Sequence, residues 1–505
     1  MHLNDSHDKK IGTVFTPLRW GKFAVEQFDI FPEWMNGATV FDPTMGSGRL
    51  LEALVDFGLG QGYSISELPL ESLFGNELNS GYFNDALQLF REKFKVDMSA
   101  NFSNADILEL SPKPYDIILG NPPWQNFVDL PDDYKEKIKS AFTTYDLIDN
   151  RKNLLLGGSR IDLAALVVQR TIADFLKPHG NAFFFLPLSL LLNDGAHRYF
   201  RKFKIHNCIF SLERIYDFND LSVFDKILTR YGLVKFKRDK KTSFPVDFYR
   251  NENGKWKKYK AKPLIINDDP LSVFSPEESH FFDGFQPIVI EKKSIPRQGI
   301  NTCGANNIYF FESCTELEDG TSLLNEKVIL PTQFIYPLLT KSNFTEHKMV
   351  PRKWVLLPYN DNGKPLSGKE ISRCPLLRKY LFSVKNKLEQ RKGKLIQTQI
   401  KKGIWWAMLG VGRYNFVNYK IVWEAYGRNT FKPMLVTGRW QVNQSLQAYM
   451  PVVTKTAAQK ILNQLQNPVI ETYLLSLKME KTMNWAQPGK IKKLLKIKGG
   501  EEELY

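Results

Sequence analysis

Residues 121–124 read Asn-Pro-Pro-Trp and follow directly on the apolar run Tyr115-Asp116-Ile117-Ile118-Leu119-Gly120. A planar amine, such as the exocyclic amino group of a base, is a poor nucleophile because its lone pair is delocalised into the ring. Activating it takes hydrogen-bond acceptors aimed at the NH2 group and a flat surface that holds the ring still. Asn121 can accept through its side-chain oxygen and Pro122 through its carbonyl. Pro122 and Pro123, with φ fixed, stiffen the turn. Trp124 offers a π-face for stacking. Taken alone, the tetrapeptide is equally well explained as a turn, since Asn opens turns readily and X-Pro is extended.

Three more segments could serve a ligand. Phe41-Asp42-Pro43-Thr44-Met45-Gly46-Ser47-Gly48 leads into a helix at Arg49, and Gly46 and Gly48 let backbone approach a ligand closely. This is neither the dinucleotide glycine fingerprint nor a P-loop. Asp42 at a strand end suits a ligand with a positive centre better than a pyrophosphate. Glu77, closing Phe74-Gly75-Asn76-Glu77, stands where an acidic residue commonly accepts from ribose hydroxyls. In Asn104-Ala105-Asp106-Ile107, Asp106 could accept from an adenine amino group while Ile107 packs on its ring. Singly, Glu77 and Asp106 are ordinary loop carboxylates. Asp42, Glu77, Asp106 and Asn121 closing successive strands in order are much harder to explain that way.

The elements that must position them alternate. Apolar runs at Ala38–Phe41, Ser72–Gly75, Tyr115–Leu119, Ala182–Leu186, Ile205–Phe210 and Gly232–Phe236 read as strands. Between them Arg49–Phe57, Gly81–Phe94 and Leu163–Leu176 carry apolar residues at helical spacing. The pattern predicts a doubly wound α/β sheet, which binds its ligand at the carboxyl ends of the strands.

Composition narrows the classes. The 505 residues, 43% hydrophobic and 24% charged, are those of a globular chain of two or three domains. Nothing at the N-terminus resembles a signal peptide, and the apolar stretch Ala182–Leu192 is too short to span a bilayer and contains Pro187. Cys208, Cys303, Cys314 and Cys374 form no Cys-x-x-Cys pair, which predicts a reduced cytoplasmic protein without structural metal. The net charge of +15 is uneven: residues 1–235 carry a small acidic excess and 236–505 a large basic one. A basic half beside an acidic one suits a domain that holds a polyanion next to a domain that does chemistry. Without a basic amphipathic helix or a lipidation signal, nucleic acid is the expected polyanion rather than a membrane.

The ordered motif series resembles the S-adenosylmethionine-dependent N6-adenine DNA methyltransferases of restriction–modification systems, in the gamma order that puts cofactor motifs first and target recognition last. Gly12-Thr13-Val14-Phe15-Thr16-Pro17 is similar to the Thr-Pro element that opens these enzymes. Arg160-Ile161-Asp162-Leu163-Ala164-Ala165-Leu166 resembles their Asp-Leu helix, and Lys177-Pro178-His179-Gly180-Asn181 with Phe183–Pro187 their next turn and strand. Tyr216–Lys237 is similar to the later strand pair whose loop approaches a flipped base. The likeness covers nearly all of 10–240 and becomes looser from Ile295-Pro296-Arg297-Gln298-Gly299-Ile300 onward, where it is to the recognition domains of the same group.

The resemblance implies a seven-stranded Rossmann-like methyltransferase sheet followed by a mixed α+β target-recognition domain, with residues 1–268 catalytic and 269–505 reading DNA. It implies S-adenosylmethionine held by Thr16, Pro17, Asp42, Thr44, Gly46 and Gly48, with Glu77 on the ribose, Asp106 and Ile107 on the adenine, and Asn121 beside it. Asn121, Pro122, Pro123 and Trp124 are then the catalytic turn, Trp124 standing where Tyr or Phe is commoner. Double-stranded DNA is the expected partner, a monomer the expected state, and any cleavage activity is expected in a separate restriction endonuclease.

The second half interleaves aromatics with basic residues. Trp354, Tyr359, Trp405, Trp406, Tyr414, Trp423, Tyr426 and Trp440 read more as core than as stacking platforms. Arg352-Lys353, the stretches from Arg378 to Lys394 and from Lys490 to Lys498, and Lys401-Lys402 read as phosphate contacts. Asn251-Glu252-Asn253-Gly254 is the expected turn of a basic hairpin between Lys235 and Lys262. Other acceptors of the same chemistry are adenine in RNA, N4 of cytosine and the side-chain amide of protein glutamine; an inactive DNA reader is a further alternative.

Overall fold

The computed structural model describes residues 16–148, 161–193, 197–219, 221–224, 230–263, 270–277, 286–346, 349–426, 430–444, 447–476 and 486–498. Gly12–Phe15 of the Thr-Pro element and Arg160 lie outside the described residues. The chain divides into two compact units, Met1–Asp283 and Gly284–Tyr505.

One sheet organises the first unit. Its strands are β1 (Val40–Asp42), β2 (Leu73–Glu77), β3 (Phe102–Asn104), β4 (Tyr115–Gly120), β5 (Leu176–Pro187), β6 (Lys204–Ile205), β7 (Cys208–Asp217), β8 (Tyr231–Arg238), β9 (Val246–Glu252), β10 (Lys255–Pro263) and β11 (Leu271–Phe274). They lie in the order β11-β10-β9-β7-β8-β5-β4-β1-β2-β3, with β6 beside β7. From β3 through β5 the pairing is parallel, and β8 inserts antiparallel between β5 and β7. That run from β3 to β7 is the expected doubly wound seven-stranded sheet. The sheet then continues through β9, β10 and β11.

Burial on both faces explains why the central strands read as unbroken apolar runs. Alternate residues serve opposite cores. Ile118, Phe184 and Leu186 join the core under helix α5 (Leu163–Asp174) and helix α4 (Asp132–Thr144). Ile117, Leu119, Phe183 and Phe185 join the core on the other face, with helices α1 (Leu18–Gln27), α2 (Arg49–Gly60) and α3 (Ser80–Leu89).

Several expectations are corrected. Lys177–Gly180 does form a turn, with His179 at φ 62, but as an excursion within one strand rather than ahead of it: β5 pairs Leu176 with Tyr115 and then Asn181 with Ile117. Ile205–Phe210 is not one strand; His206 at φ 49 turns the chain between β6 and β7. The hairpin turn holds, with Asn253 and Gly254 both at positive φ as a type I′ turn requires. Its lysines, however, are largely neutralised: Lys257 pairs with Glu252, and Lys258 and Lys260 with Asp247. The units divide at Asp283 rather than at 268/269, because β11 still belongs to the first sheet.

The second unit is mixed α+β, as expected. Its four-stranded sheet runs Arg297–Gln298, Gln447–Val452, Tyr419–Glu424, Met434–Thr437. Short helices occupy Pro375–Ser383, Lys385–Glu389 and Lys394–Lys401. Tyr359, Trp405, Trp406, Trp423 and Trp440 are buried, which makes them core. Three of their polar tips are satisfied: Trp406 Nε1 donates to Leu366 O at 3.1 Å, Trp423 Nε1 to Ala486 O at 2.7 Å and Tyr359 Oη to Met408 O at 3.0 Å. Among the residues read as phosphate contacts, Arg391 is instead buried and donates to the carbonyls of Leu388, Thr302, Ala407 and Trp405.

Candidate active site

The carboxyl ends of β1, β2, β3 and β4 converge on a cleft. Thr16, Asp42, Thr44, Gly46, Glu77, Asp106, Ile107 and Asn121 all line it, together with Pro123. Pro17, Gly48, Pro122 and Trp124 do not. Pro17 caps α1 beside the adjoining cavity that Thr16 shares, and Gly48, at φ 82, starts α2, where a Cβ would press on Ala86 at 3.3 Å.

Backbone amides and side chains lace the strand ends together. Gly46, at φ 54, donates its N–H to Glu77 Oε2 at 2.9 Å, and Asn79 N donates to Glu77 Oε1 at 2.8 Å. Asn76 Nδ2 donates to the carbonyls of Pro43 and Ala105, and its Oδ1 accepts from Ser103 Oγ at 2.9 Å. One asparagine thus ties β1, β2 and β3 at the rim. Thr44 Oγ1 donates to Asn121 O at 3.3 Å, joining the glycine turn to the Asn-Pro-Pro turn. Asn121 Nδ2 donates to Thr16 Oγ1 at 3.0 Å, so the Thr-Pro element fixes the orientation of the carboxamide across a long span of sequence.

The electrostatics differ from end to end. Asp42 is buried; its Oδ1 accepts from Thr44 N at 3.1 Å, while no described group donates to Oδ2. Burial pushes its carboxyl well above the usual range, the nearby charge of Glu77 adds to this, and the Thr44 N–H opposes it. Across the cleft, Asp106 Oδ1 accepts from Leu108 N at 3.0 Å, and Oδ2 meets Lys137 Nζ at 3.2 Å. Lys137 also pairs with Glu109, and these two carboxylates, Glu109 foremost, hold its ammonium above the ordinary value. Burial likewise raises the Tyr134 hydroxyl, with Asp106 adding to the effect.

Those donors and acceptors sort into a cation-seeking carboxylate at Asp42, a polar rim at Glu77, and an apolar end made by Ile107, Leu78, Tyr134, Leu163 and Val167. A sulfonium and ammonium, a ribose and an adenine would find matching surfaces in that order. S-adenosylmethionine is the cofactor expected of such a site.

Trp124 lies just beyond. Its Nε1 donates to Phe185 O at 3.2 Å, Phe224 meets its ring edge-on at 4.9 Å, and Tyr231 lies tilted against it at 5.5 Å. Tyr231 Oη accepts from Val223 N and Phe224 N and donates to Leu221 O, which fastens residues 221–224 beside the indole.

Tyr134 and Lys137 were not anticipated from sequence. They ride on α4, whose polar face, Asp132-Asp133-Tyr134-Lys135-Glu136-Lys137, hides the helical signal; only Ile138 and Phe142 of this helix are buried. That spacing of four, after Pro131 and two acidic residues, was the available clue.

Thr16→Val is predicted to remove the tether on Asn121 while keeping the shape of the side chain. Losing a hydrogen bond of about 1 kcal/mol should slow turnover roughly fivefold, with little change in substrate affinity. Steady-state kinetics that move KM instead of kcat would refute the tether.

Residues 65–224 match a family model described as the Eco57I restriction-modification methylase. No curated protein matches the chain by sequence. Among solved structures, it is similar to the type IIL restriction-modification enzyme MmeI in complex with DNA, at 14% identity over 92% of this chain and 64% of that one, with a TM-score of 0.49. A nuclease-deletion mutant of the type ISP restriction-modification enzyme LlaGI, in complex with a DNA substrate mimic, is 12% identical over 95% of this chain and 54% of that one, with a TM-score of 0.49. The type IIG restriction endonuclease BpuSI is 16% identical over 96% and 61%, with a TM-score of 0.40. The chain therefore spans less than two thirds of the length of each. The resemblance read from the motifs is borne out over residues 65–224, the segment that contributes β2 to β7 and the Asn-Pro-Pro-Trp turn and that is similar to a restriction-modification methylase.

Proposed function

We propose that the protein is an N6-adenine DNA methyltransferase of restriction–modification type, acting on duplex DNA in a prokaryotic cytoplasm. The observation that carries this reading is the junction of the Asn-Pro-Pro turn with the cleft: Asn121 lines it with its donor end held by Thr16. S-adenosylmethionine supplies an electrophilic methyl group on a cationic sulfur. Asp42, Thr44 and Gly46 bind its amino-acid end, Glu77 the ribose, and Asp106 and Ile107 the adenine.

The target adenine leaves the duplex stack, because a stacked base hides its amino group. The Asn121 side-chain oxygen and the Pro122 carbonyl then accept from N6–H and draw the nitrogen towards tetrahedral geometry, exposing its lone pair. Trp124 stacks on the base, with Phe224 and Tyr231 walling the same pocket. The N6 lone pair would take the methyl group directly as its bond to sulfur breaks, the thioether leaving and one N6 proton passing to solvent, and most of the acceleration comes from positioning and fixed dipoles. The basic second unit holds the DNA, and a partner endonuclease, where one exists, is a separate chain. Similarity to enzymes solved with DNA or a DNA mimic is consistent with that choice of polymer.

Incubation with unmethylated duplex DNA and methyl-labelled cofactor tests the reading: label is expected in the DNA and not in the protein. The stacking role has its own test. Trp124→Phe should keep most activity, whereas Trp124→Ala should lower kcat/KM for DNA by about 10- to 100-fold, the worth of one base–aromatic stack. Equal activity of the two variants would remove Trp124 from the base site.

A further inference from the structure

We infer that Arg297, seated over the ring of Tyr414, reads a guanine in the recognition sequence. This rests on the proposed action on duplex DNA and names one determinant of the sequence acted upon.

Three observations carry it. The Arg297 guanidinium carbon lies 3.9 Å from the centroid of the Tyr414 ring. Among the described residues Arg297 makes no ion pair, and its buried Nε has no hydrogen-bond partner. The platform beneath it is rigid. Tyr414 sits in the turn Arg413–Asn415, where Asn415 Oδ1 accepts from Gly412 N at 2.9 Å and its Nδ2 donates to Gln441 Oε1 at 3.2 Å. Arg297 itself lies on the edge strand of the four-stranded sheet, opposite Tyr449. At the following Gly299 the backbone passes so close to Val442 that a Cβ would meet its carbonyl oxygen at 2.2 Å.

Arg391, in the same unit, shows the contrast. Its guanidinium is spent on buried carbonyls and serves the core. Arg297 keeps its fork for something else. Stacking on an aromatic ring fixes the plane of the fork, which favours a bidentate acceptor lying in that plane. Guanine presents O6 and N7 in this arrangement, and arginine to guanine is the commonest specific contact in the major groove. Phosphates can be met by the exposed lysines of the helical segment, Lys387, Lys392, Lys394, Lys401 and Lys402, none of which is held in one orientation by a ring.

The neighbouring side chains add polar order. Gln444 Nε2 donates to Gln298 Oε1 at 2.7 Å, and Gln298 Nε2 donates to Tyr426 Oη at 3.0 Å, a relay that fixes the residue next to Arg297.

The test uses the full chain and a library of randomised duplexes, scored for bound and for methylated sequences. Wild type is expected to require guanine at one position of its motif. Arg297→Lys, which keeps the charge and loses the fork, and Arg297→Ala should each relax that position, cutting discrimination there by about 10- to 100-fold and leaving the others strict. Tyr414→Leu should relax the same position less. Thermal melting separates these effects from misfolding, and the lysine variant is the one read if the alanine variant does not fold. An unchanged motif overturns the inference, as does uniform weakening at all positions with a shallower salt dependence, the mark of a phosphate contact. A wild-type chain that neither binds nor methylates DNA overturns the functional reading beneath it.

Discussion

Asn121→Ala is expected to reduce methyl transfer by about 10³-fold while cofactor affinity stays nearly unchanged. The size of the effect follows from what the side chain is asked to do. A preorganised dipole aimed at developing charge is worth roughly 10²- to 10³-fold in rate when removed, and here the carboxamide also orients the amino group. The structure indicates why cofactor binding should survive. The backbone turn is set by Pro122 and Pro123 and by the Thr44 hydroxyl donating to Asn121 O, all of which alanine retains. Asp42, Glu77 and Asp106 make their own backbone contacts with Thr44, Gly46, Asn79 and Leu108, independently of the Asn121 side chain. Single-turnover transfer and calorimetric titration of the cofactor separate the two quantities. A variant within tenfold of wild type would sink the mechanism.

Asp42→Asn is expected to act on binding rather than chemistry, and to do so while making the free protein more stable. In the free chain the Asp42 carboxylate is costly: burial raises its pKa, Glu77 repels its charge, and only the Thr44 N–H favours the ionised form. Asparagine keeps an oxygen for that N–H and discards the charge. The folded-state pKa lies above the unfolded one, so the folded form binds the extra proton between them. Stability from this group is fully present below the unfolded value and is lost as pH rises through the folded one. The variant should not show that loss, and its Tm should exceed that of wild type at neutral pH.

Cofactor binding should move the opposite way. A cationic ligand selects the ionised carboxylate, so wild-type affinity should climb as pH rises towards the elevated pKa and then level off. Losing charge-assisted contacts worth about 1.5–3 kcal/mol predicts a 10- to 100-fold weaker complex without that pH slope. Titrations from mildly acidic to mildly basic pH, beside melting curves, measure both. Equal affinity with an unchanged slope would put the cationic end of the ligand elsewhere.

Much of the first unit was legible because its signals are local. Phe41-Asp42 and Phe74-Gly75-Asn76-Glu77 each couple an apolar run to a polar stop, and parallel strands buried on both faces leave that signature. The glycine turn announced itself through residues that adopt positive φ, Gly46 and Gly48. What escaped was decided by distance in sequence. The tether from Asn121 to Thr16 and the lacing of three strand ends by Asn76 exist only after the sheet forms. Asp116, which reads as one polar residue in an apolar strand, accepts from Thr39 and Lys177. The β9–β10 hairpin read simply as basic because the partners of its lysines, Asp247 and Glu252, lie across the strand pair rather than beside them in the chain. In the second unit the aromatics could be assigned to a core, but nothing in the local sequence distinguishes Tyr414, which carries Arg297, from the buried Trp405 and Trp406.

Nucleoside mass spectrometry of DNA treated with the chain and a methyl-deuterated cofactor tests the central claim most directly. The predicted result is a single labelled product, N6-methyladenine, that vanishes with Asn121→Ala. Label in N4-methylcytosine, in RNA or in protein glutamine would contradict it.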